Sequence, residues 1–278
     1  HAMVDAVLQA AAGNNFRVIR MWGSLEIASQ DGSNSIKGKS DGVYFQYWDG
    51  SAPAFNDGDD GLKRLDYALF KAKELGLRVI VPFVNNWNAF GGIDQYVRWR
   101  TVQDPAFVPY HDRFYTDPVI RQWFKQWIAH LLNRTNSYTG VQYRNDPTIM
   151  AWELANEPRC LSAGVYGRSP DCTTQTLTTW ADEMSTYIKS IDDKHLVSAG
   201  DEGFYCMPGA TDWTENCGEG VDTIALASLP NIDILSLHLY PDSWGKDAAW
   251  GTQWIIRHIA DGKRIKRPVV LGEFGILD

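Results

Sequence analysis

Six short apolar runs recur along the chain, and the stretches between them carry the three-to-four-residue rhythm of amphipathic helices. The runs occupy residues 16–22, 77–84, 149–154, 196–199, 232–237 and 269–274. Strands this short and this continuously apolar are what a parallel sheet covered by helices requires. Pro82 cannot donate to a ladder, so it belongs near the end of its strand. Helical patterns fall at residues 4–12, 61–75, 117–132, 174–191 and 248–259. In the second, Leu62, Leu65, Leu69 and Ala72 share one face, and Gly76 stands where a C-terminal cap is expected. In the third, Asp117 before Pro118 is an N-cap followed by proline in the first turn.

Strand and helix alternating in this way indicate an α/β fold, either a barrel or a doubly wound sheet. No G-x-G-x-x-G follows any of the runs, which removes the dinucleotide-binding version of the second. The connections leaving the strands are long and rich in polar and aromatic residues, notably 24–56 and 85–116. Those returning to a strand are short, as at Gly76 and 266–268. That asymmetry predicts a TIM (β/α)8-type barrel whose strand C-termini carry the working face. With no linker or break in composition, residues 1–278 read as a single domain.

Composition narrows the function. The 278 residues carry 26 Lys+Arg against 34 Asp+Glu, a net charge of −8, and an acidic surface repels nucleic-acid backbones. No run approaches the ~18 apolar residues of a membrane span. The aromatic content is high, with 12 Trp, 12 Tyr and 11 Phe. A core absorbs many of these, yet several fall in polar stretches such as Tyr44–Trp48 and Asn86-Trp87-Asn88, where flat rings suit sugar faces. The four cysteines form two local pairs, Cys160 with Cys172 and Cys206 with Cys217. Neither has C-x-x-C spacing or neighbouring histidines, so two loop-stapling disulfides are expected rather than a metal site. They imply an oxidising compartment, and Asn133-Arg134-Thr135 is a glycosylation sequon that agrees with it. The expectation is a secreted, extracellular protein whose targeting peptide has been removed.

The strand ends supply the candidate chemistry. They read Arg20-Met21-Trp22, Asn85-Asn86-Trp87, Asn156-Glu157-Pro158, Asp201-Glu202, His238-Leu239-Tyr240 and Glu273. A barrel would bring them into one crevice. Two of them, Glu157 and Glu273, are carboxylates, and a carboxylate pair can cleave a glycosidic bond with no metal or organic cofactor.

Trp152-Glu153-Leu154-Ala155-Asn156-Glu157-Pro158-Arg159, His238-Leu239-Tyr240-Pro241 and Gly272-Glu273-Phe274-Gly275 resemble glycoside hydrolase family five. Arg20-Met21-Trp22-Gly23, Val84-Asn85-Asn86-Trp87 with Phe90-Gly91-Gly92, and Asn156-Glu157-Pro158-Arg159-Cys160 resemble its fungal and plant endo-β-1,4-mannanases. The resemblance implies a retaining enzyme that cuts within mannan, glucomannan or galactomannan, with Glu157 as general acid/base and Glu273 as nucleophile. It implies that Asn156 holds the sugar 2-OH, that Arg20 supports the ionised nucleophile, and that Tyr240 and His238 orient the two carboxylates. Trp22, Asn86, Trp87, Arg159, Glu202 and Trp244 match the substrate-binding lining. The implied partner is a polysaccharide, with no nucleic acid, membrane or cofactor, and a monomer when intact. The family barrel starts with a strand before the first helix and ends with an eighth strand. The expectation here is therefore a barrel truncated at both ends, lacking its first and eighth strands. A β-1,4-glucanase of the same fold and a non-catalytic carbohydrate-binding fragment are the alternatives.

Overall fold

The computed structural model describes residues 1–161 and 164–277. Its strands are β1 (Val18–Arg20), β2 (Gln46–Trp48), β3 (Pro53–Phe55), β4 (Arg78–Pro82), β5 (Ile149–Glu153), β6 (Leu196–Ser198), β7 (Leu235–Leu239) and β8 (Val269–Phe274). Its α-helices are α1 (Ala2–Gly13), α2 (Leu62–Glu74), α3 (Gly92–Gln103), α4 (Arg113–Thr116), α5 (Pro118–Asn133), α6 (Thr174–Ile191), α7 (Thr223–Ala227) and α8 (Ala248–Ile265).

The six apolar runs are the six parallel strands. β1, β4, β5 and β6 pair in that order, a bridge between Ser198 and Ile234 leads on to β7, and β7 pairs with β8. This is the curved sheet of a TIM-type barrel. The main core lies between its outer face and the helices, where Leu69, Val81, Trp152 and Ile188 are all buried. A smaller cluster of Ile80, Ala151 and Ile234, with Met150 and Val270 against it, fills the inside. Ile80 pairs with Ala151, and one pleat further on Pro82 pairs with Glu153. Side chains two residues apart point the same way, so Glu153 continues the inner row above the apolar plug. Among the described residues β1 and β8 do not pair with each other, and Phe16 beside that edge is 60% exposed.

Local chemistry explains the boundaries. The Asp117 carboxylate accepts from the Val119 and Ile120 amides at 2.9 Å, capping α5 just ahead of Pro118, as the sequence predicts. Thr173 and Thr176 cap α6 reciprocally. Pro82 is the last residue of β4. α8 runs six residues beyond the expected end, until Lys266 turns left-handed and 266–268 return the chain to β8.

The two long connections are more structured than the sequence suggests. Residues 24–56 contain the antiparallel β2–β3 hairpin, turned at Asp49, whose carboxylate accepts from the Ser51 and Ala52 amides. Residues 85–116 contain α3, on which Ile93, Asp94, Gln95, Tyr96, Val97 and Trp99 are all buried. A helix enclosed on several sides has no single apolar stripe to betray it.

Candidate active site

Every strand-end residue named from sequence arrives at the C-terminal rim of the sheet. The floor is Arg20 at the end of β1. Its Nε donates to Glu153 Oε2 at 2.7 Å, its Nη1 to Glu273 Oε1 at 2.6 Å and its Nη2 to Asn156 Oδ1 at 2.8 Å. The Arg20–Glu273 contact spans the side on which β1 and β8 are unpaired. Arg20, Met21, Trp22, Pro82, Gly272 and Glu273 line a cavity of about 180 Å³ there.

Glu273 is held on its second oxygen by the Tyr240 hydroxyl at 2.8 Å. Burial, then the adjacent Glu273 charge, push the Tyr240 phenol well above its ordinary value, so it remains a donor. Glu157 follows β5 and is 7% exposed. It takes one hydrogen bond from the Trp87 indole and shares another with His238 Nδ1 at 2.6 Å. His238 Nε2 has no partner among the described residues. The tautomer with its proton on Nδ1 therefore leaves only an acceptor unpaired, and it donates to Glu157. Burial raises the Glu157 pKa, but the His238 hydrogen bond, then Trp87 and Arg159, outweigh it and hold the carboxyl below its ordinary value. One oxygen of Glu157, one of Glu273 and a ring nitrogen of His238 all lie within 4.8 Å of one another.

The backbone under Glu157 is over-determined. The Asn156 amide donates to Val84 O at 2.7 Å, the Glu157 amide donates to Gly200 O at 2.9 Å, and the Asn86 amide donates to Asn156 O at 2.9 Å. Glu157 sits at φ 53° just before a proline, an unfavourable conformation for a side-chain-bearing residue, costing about 1–3 kcal/mol. Gly200 makes room for it: a Cβ there would meet Ala155 O at 2.0 Å.

Arg159 builds the next layer. Its Nε and Nη2 both engage Glu202, its Nη1 reaches Glu219 at 2.7 Å, and its guanidinium lies 5.1 Å from the Trp87 ring centroid. Burial opposes its charge, but Glu202 and then Glu219 hold it firmly protonated. Trp22 faces Phe90 at 5.9 Å, and Trp244 sits part-exposed among Phe204, Trp213 and Trp250.

Among the residues expected to line the groove, Asn86, Asn156, Arg159, Glu202 and His238 are buried. Glu202 is 2% exposed with both oxygens on Arg159. Asn86 is 1% exposed, its carbonyl accepting from the Arg159 amide and meeting His111 Nε2 at 2.9 Å. Both Glu202 oxygens are thus taken, whereas Asn86 Nδ2 has no partner among the described residues. The sequence reading missed Glu153, Glu219 and the buried Asp94–His111 pair behind Asn86, whose atoms meet at 2.7 Å. Only Glu153 carried a signal, as a charge on the inner face of a buried strand.

Both disulfides form, Cys160–Cys172 and Cys206–Cys217. The Cys160 amide donates to Glu219 O at 2.9 Å, and Arg168 donates to Gly218 O and Cys172 O, so the two stapled loops brace each other beside Arg159. No helix among the described residues is long and apolar enough to cross a membrane.

Comparison with known proteins gives the same picture. The family model described as GH family 5 beta-mannosidase-like matches residues 51–278. The chain is 38% identical to mannan endo-1,4-beta-mannosidase 2 of Arabidopsis thaliana, over 98% of this chain and 60% of that protein. It is 34% identical to mannan endo-1,4-beta-mannosidase A of Podospora anserina, over 98% and 64%. It therefore spans about three fifths of the length of the curated relatives it matches. The endo-1,4-beta-mannanase of Rhizomucor miehei superposes with a TM-score of 0.89 at 40% identity, over 98% of this chain and 72% of that one. The hyperthermostable endo-1,4-beta-D-mannanase of Thermotoga petrophila does so at 0.84 and 39%, over 98% and 74%. With that match over most of its length, the chain belongs to glycoside hydrolase family five, in its β-mannosidase-like group.

Proposed function

We propose that this protein hydrolyses internal β-1,4-mannosidic bonds of mannan-type polysaccharides with retention of anomeric configuration. The observation that carries the reading is the spacing of Glu157 and Glu273, whose nearest oxygens are no more than 4.8 Å apart. Retaining pairs sit at ~5–5.5 Å, whereas inverting pairs need ~6.5–9.5 Å to admit a water.

The surroundings support these roles. Glu273 receives Arg20 and Tyr240, donors that fix one carboxylate lone pair toward an anomeric carbon. In the first step a Glu273 oxygen bonds to C1, the bond from C1 to the leaving sugar oxygen breaks, and Glu157 gives that oxygen its proton. In the second, Glu157 takes a proton from a water whose oxygen attacks C1, releasing Glu273. A seated sugar completes the burial of Glu157, which acts towards the protonated form needed for the first step. Asn156, anchored by Arg20 and by Asn85 at 2.9 Å from its Nδ2, is placed for the sugar 2-OH. Trp22, Trp87 and Trp244 offer ring faces. The chemistry balances without a cofactor. One chain supplies every group, so a monomer suffices, and the two disulfides support action outside the cell.

The test is release of reducing ends from mannan, glucomannan and cellulose, with NMR of the first-formed anomer. Retained β-product from mannan supports the reading. Cleavage of cellulose alone would make it a glucanase, and an α-product would overturn the nucleophile assignment. Glu273→Ala should show no turnover while still binding mannooligosaccharide.

A further inference from the structure

Arg20 is shared between two carboxylates of unequal standing. Its Nη1 reaches Glu273, but its Nε is committed to Glu153 Oε2 at 2.7 Å. The Glu153 side chain is 2% exposed, on the inner face of β5 directly above the apolar cluster of Ile80 and Ala151. A buried carboxylate is expensive to desolvate, and an apolar side chain of similar volume would cap that plug at lower cost. What only a charge can do there is draw part of the Arg20 charge away from Glu273, while a fixed Nε acceptor aims the guanidinium fork across the site.

We infer that Glu153 is a positioning residue that sets how much of the Arg20 charge falls on Glu273, and so how strongly Glu273 attacks the sugar. This rests on the retaining reading above. The charged and titratable groups that face Glu273 are Arg20 from β1, Glu153 and Glu157 from β5 and the turn after it, and His238 and Tyr240 from β7 and its end. Of these, Glu153 is linked to Glu273 through their shared bonds to Arg20. Neutralising it leaves the whole guanidinium charge to Glu273, which stabilises the carboxylate and weakens it as a nucleophile.

The test is Glu153→Gln, which keeps the shape and an acceptor for Nε, assayed on dinitrophenyl β-mannobioside. With that substrate the Glu273–C1 bond forms as the C1–O bond breaks, and the electron pair leaves with dinitrophenolate, so no proton from Glu157 is needed. The acid limb of kcat/KM should move down by about one pH unit, the ordinary effect of one nearby charge. The plateau should fall about tenfold. Glu153→Asp keeps the charge but draws it back from Nε, so its limb should move the same way by less than half as much. If the Gln variant does not fold, the Asp variant alone decides. A folded variant that loses activity and thermal stability together, with an unmoved acid limb, would make Glu153 structural filler and overturn the inference. Failure of the unaltered protein to cleave the mannobioside would instead count against the mannan reading.

Discussion

Replacing Trp87 with phenylalanine removes one donor from Glu157 and keeps a ring beneath Arg159. In the structure the Trp87 indole N–H donates to Glu157 Oε2, while His238 holds Oε1. A donor to a carboxylate favours the charged form, so its loss must raise the Glu157 pKa. Hydrogen bonds to charged groups contribute about 1.5–3 kcal/mol, equivalent to roughly one to two pKa units. Trp87 shares Glu157 with His238, which keeps its own bond in the variant, so the lower figure of about one unit is expected. Glu157 must carry its proton when the leaving oxygen departs, so the alkaline limb of kcat/KM should move up by about one pH unit. The assay is the pH profile of a mannooligosaccharide, with dinitrophenyl β-mannobioside as control because its leaving group needs no proton. An alkaline limb that stays put or moves down would refute the link between this hydrogen bond and the acid. A shift that also appears with the dinitrophenyl substrate would assign the limb to another group.

Glu26 provides a test of stability away from the chemistry. Fully buried, it accepts from the Gly92 amide and Gln46 Nε2, yet burial pushes its pKa up to about 8. The folded protein keeps that proton above pH 4.5 while the unfolded chain releases it, so stability should fall by roughly 1.4 kcal/mol per pH unit until about pH 8. Urea melts of Glu26→Gln should be flatter across that window, and parallel slopes would disprove the assignment. Replacing Cys160 and Cys172 with serine opens a loop of sequence separation 12 and should cost ~3 kcal/mol. It should also raise KM, since that loop begins one residue after Arg159; a lower melting temperature with unchanged KM would confine the bridge to stability. Glu157→Gln should lose ~10²–10⁴-fold on mannan and far less on the dinitrophenyl substrate, and equal losses on both would remove Glu157 as the acid.

The strands and the rim were legible because each rests on a local rule. Six short apolar runs alternating with helical patterns point to a covered parallel sheet, and that topology gathers their C-terminal ends whatever their separation in sequence. Asp117-Pro118 and Gly76 announced helix ends through capping groups that need no partner elsewhere. What stayed hidden depends on contacts at long range. α3 was read as loop because its turns are enclosed by different neighbours, and it starts at Gly92, where a Cβ would meet Trp87 O at 2.4 Å. The β2–β3 hairpin had its Asp49-Gly50 signal, but strands of three residues with a proline in one are too short to show alternation. Trp87 was read as a stacking face; that its indole nitrogen serves Glu157 follows from the crossing of two loops 70 residues apart.

The division of labour proposed for Glu157 and Glu273 agrees with how the site distributes its cations. Six carboxylates crowd the rim and the layer behind it: Glu153, Glu157, Asp201, Glu202, Glu219 and Glu273. Arg20 is shared by Glu153 and Glu273, and Arg159 by Glu202 and Glu219. Among the described residues no arginine hydrogen-bonds Glu157, whose partners are a histidine and an indole. Of the two carboxylates proposed to react, the one without a guanidinium is the one that a seated sugar can bring to its protonated form. A guanidinium would favour the anion at all times, whereas a neutral imidazole donor and an indole leave Glu157 able to gain a proton. Glu273 is fixed by a permanent cation and a tyrosine donor, surroundings that suit the proposed nucleophile. The same backbone that turns Glu157 left-handed beside Gly200 ties the acid to Asn86 and Val84. Its position is thus held by main-chain bonds, while its side chain remains free to gain and lose a proton.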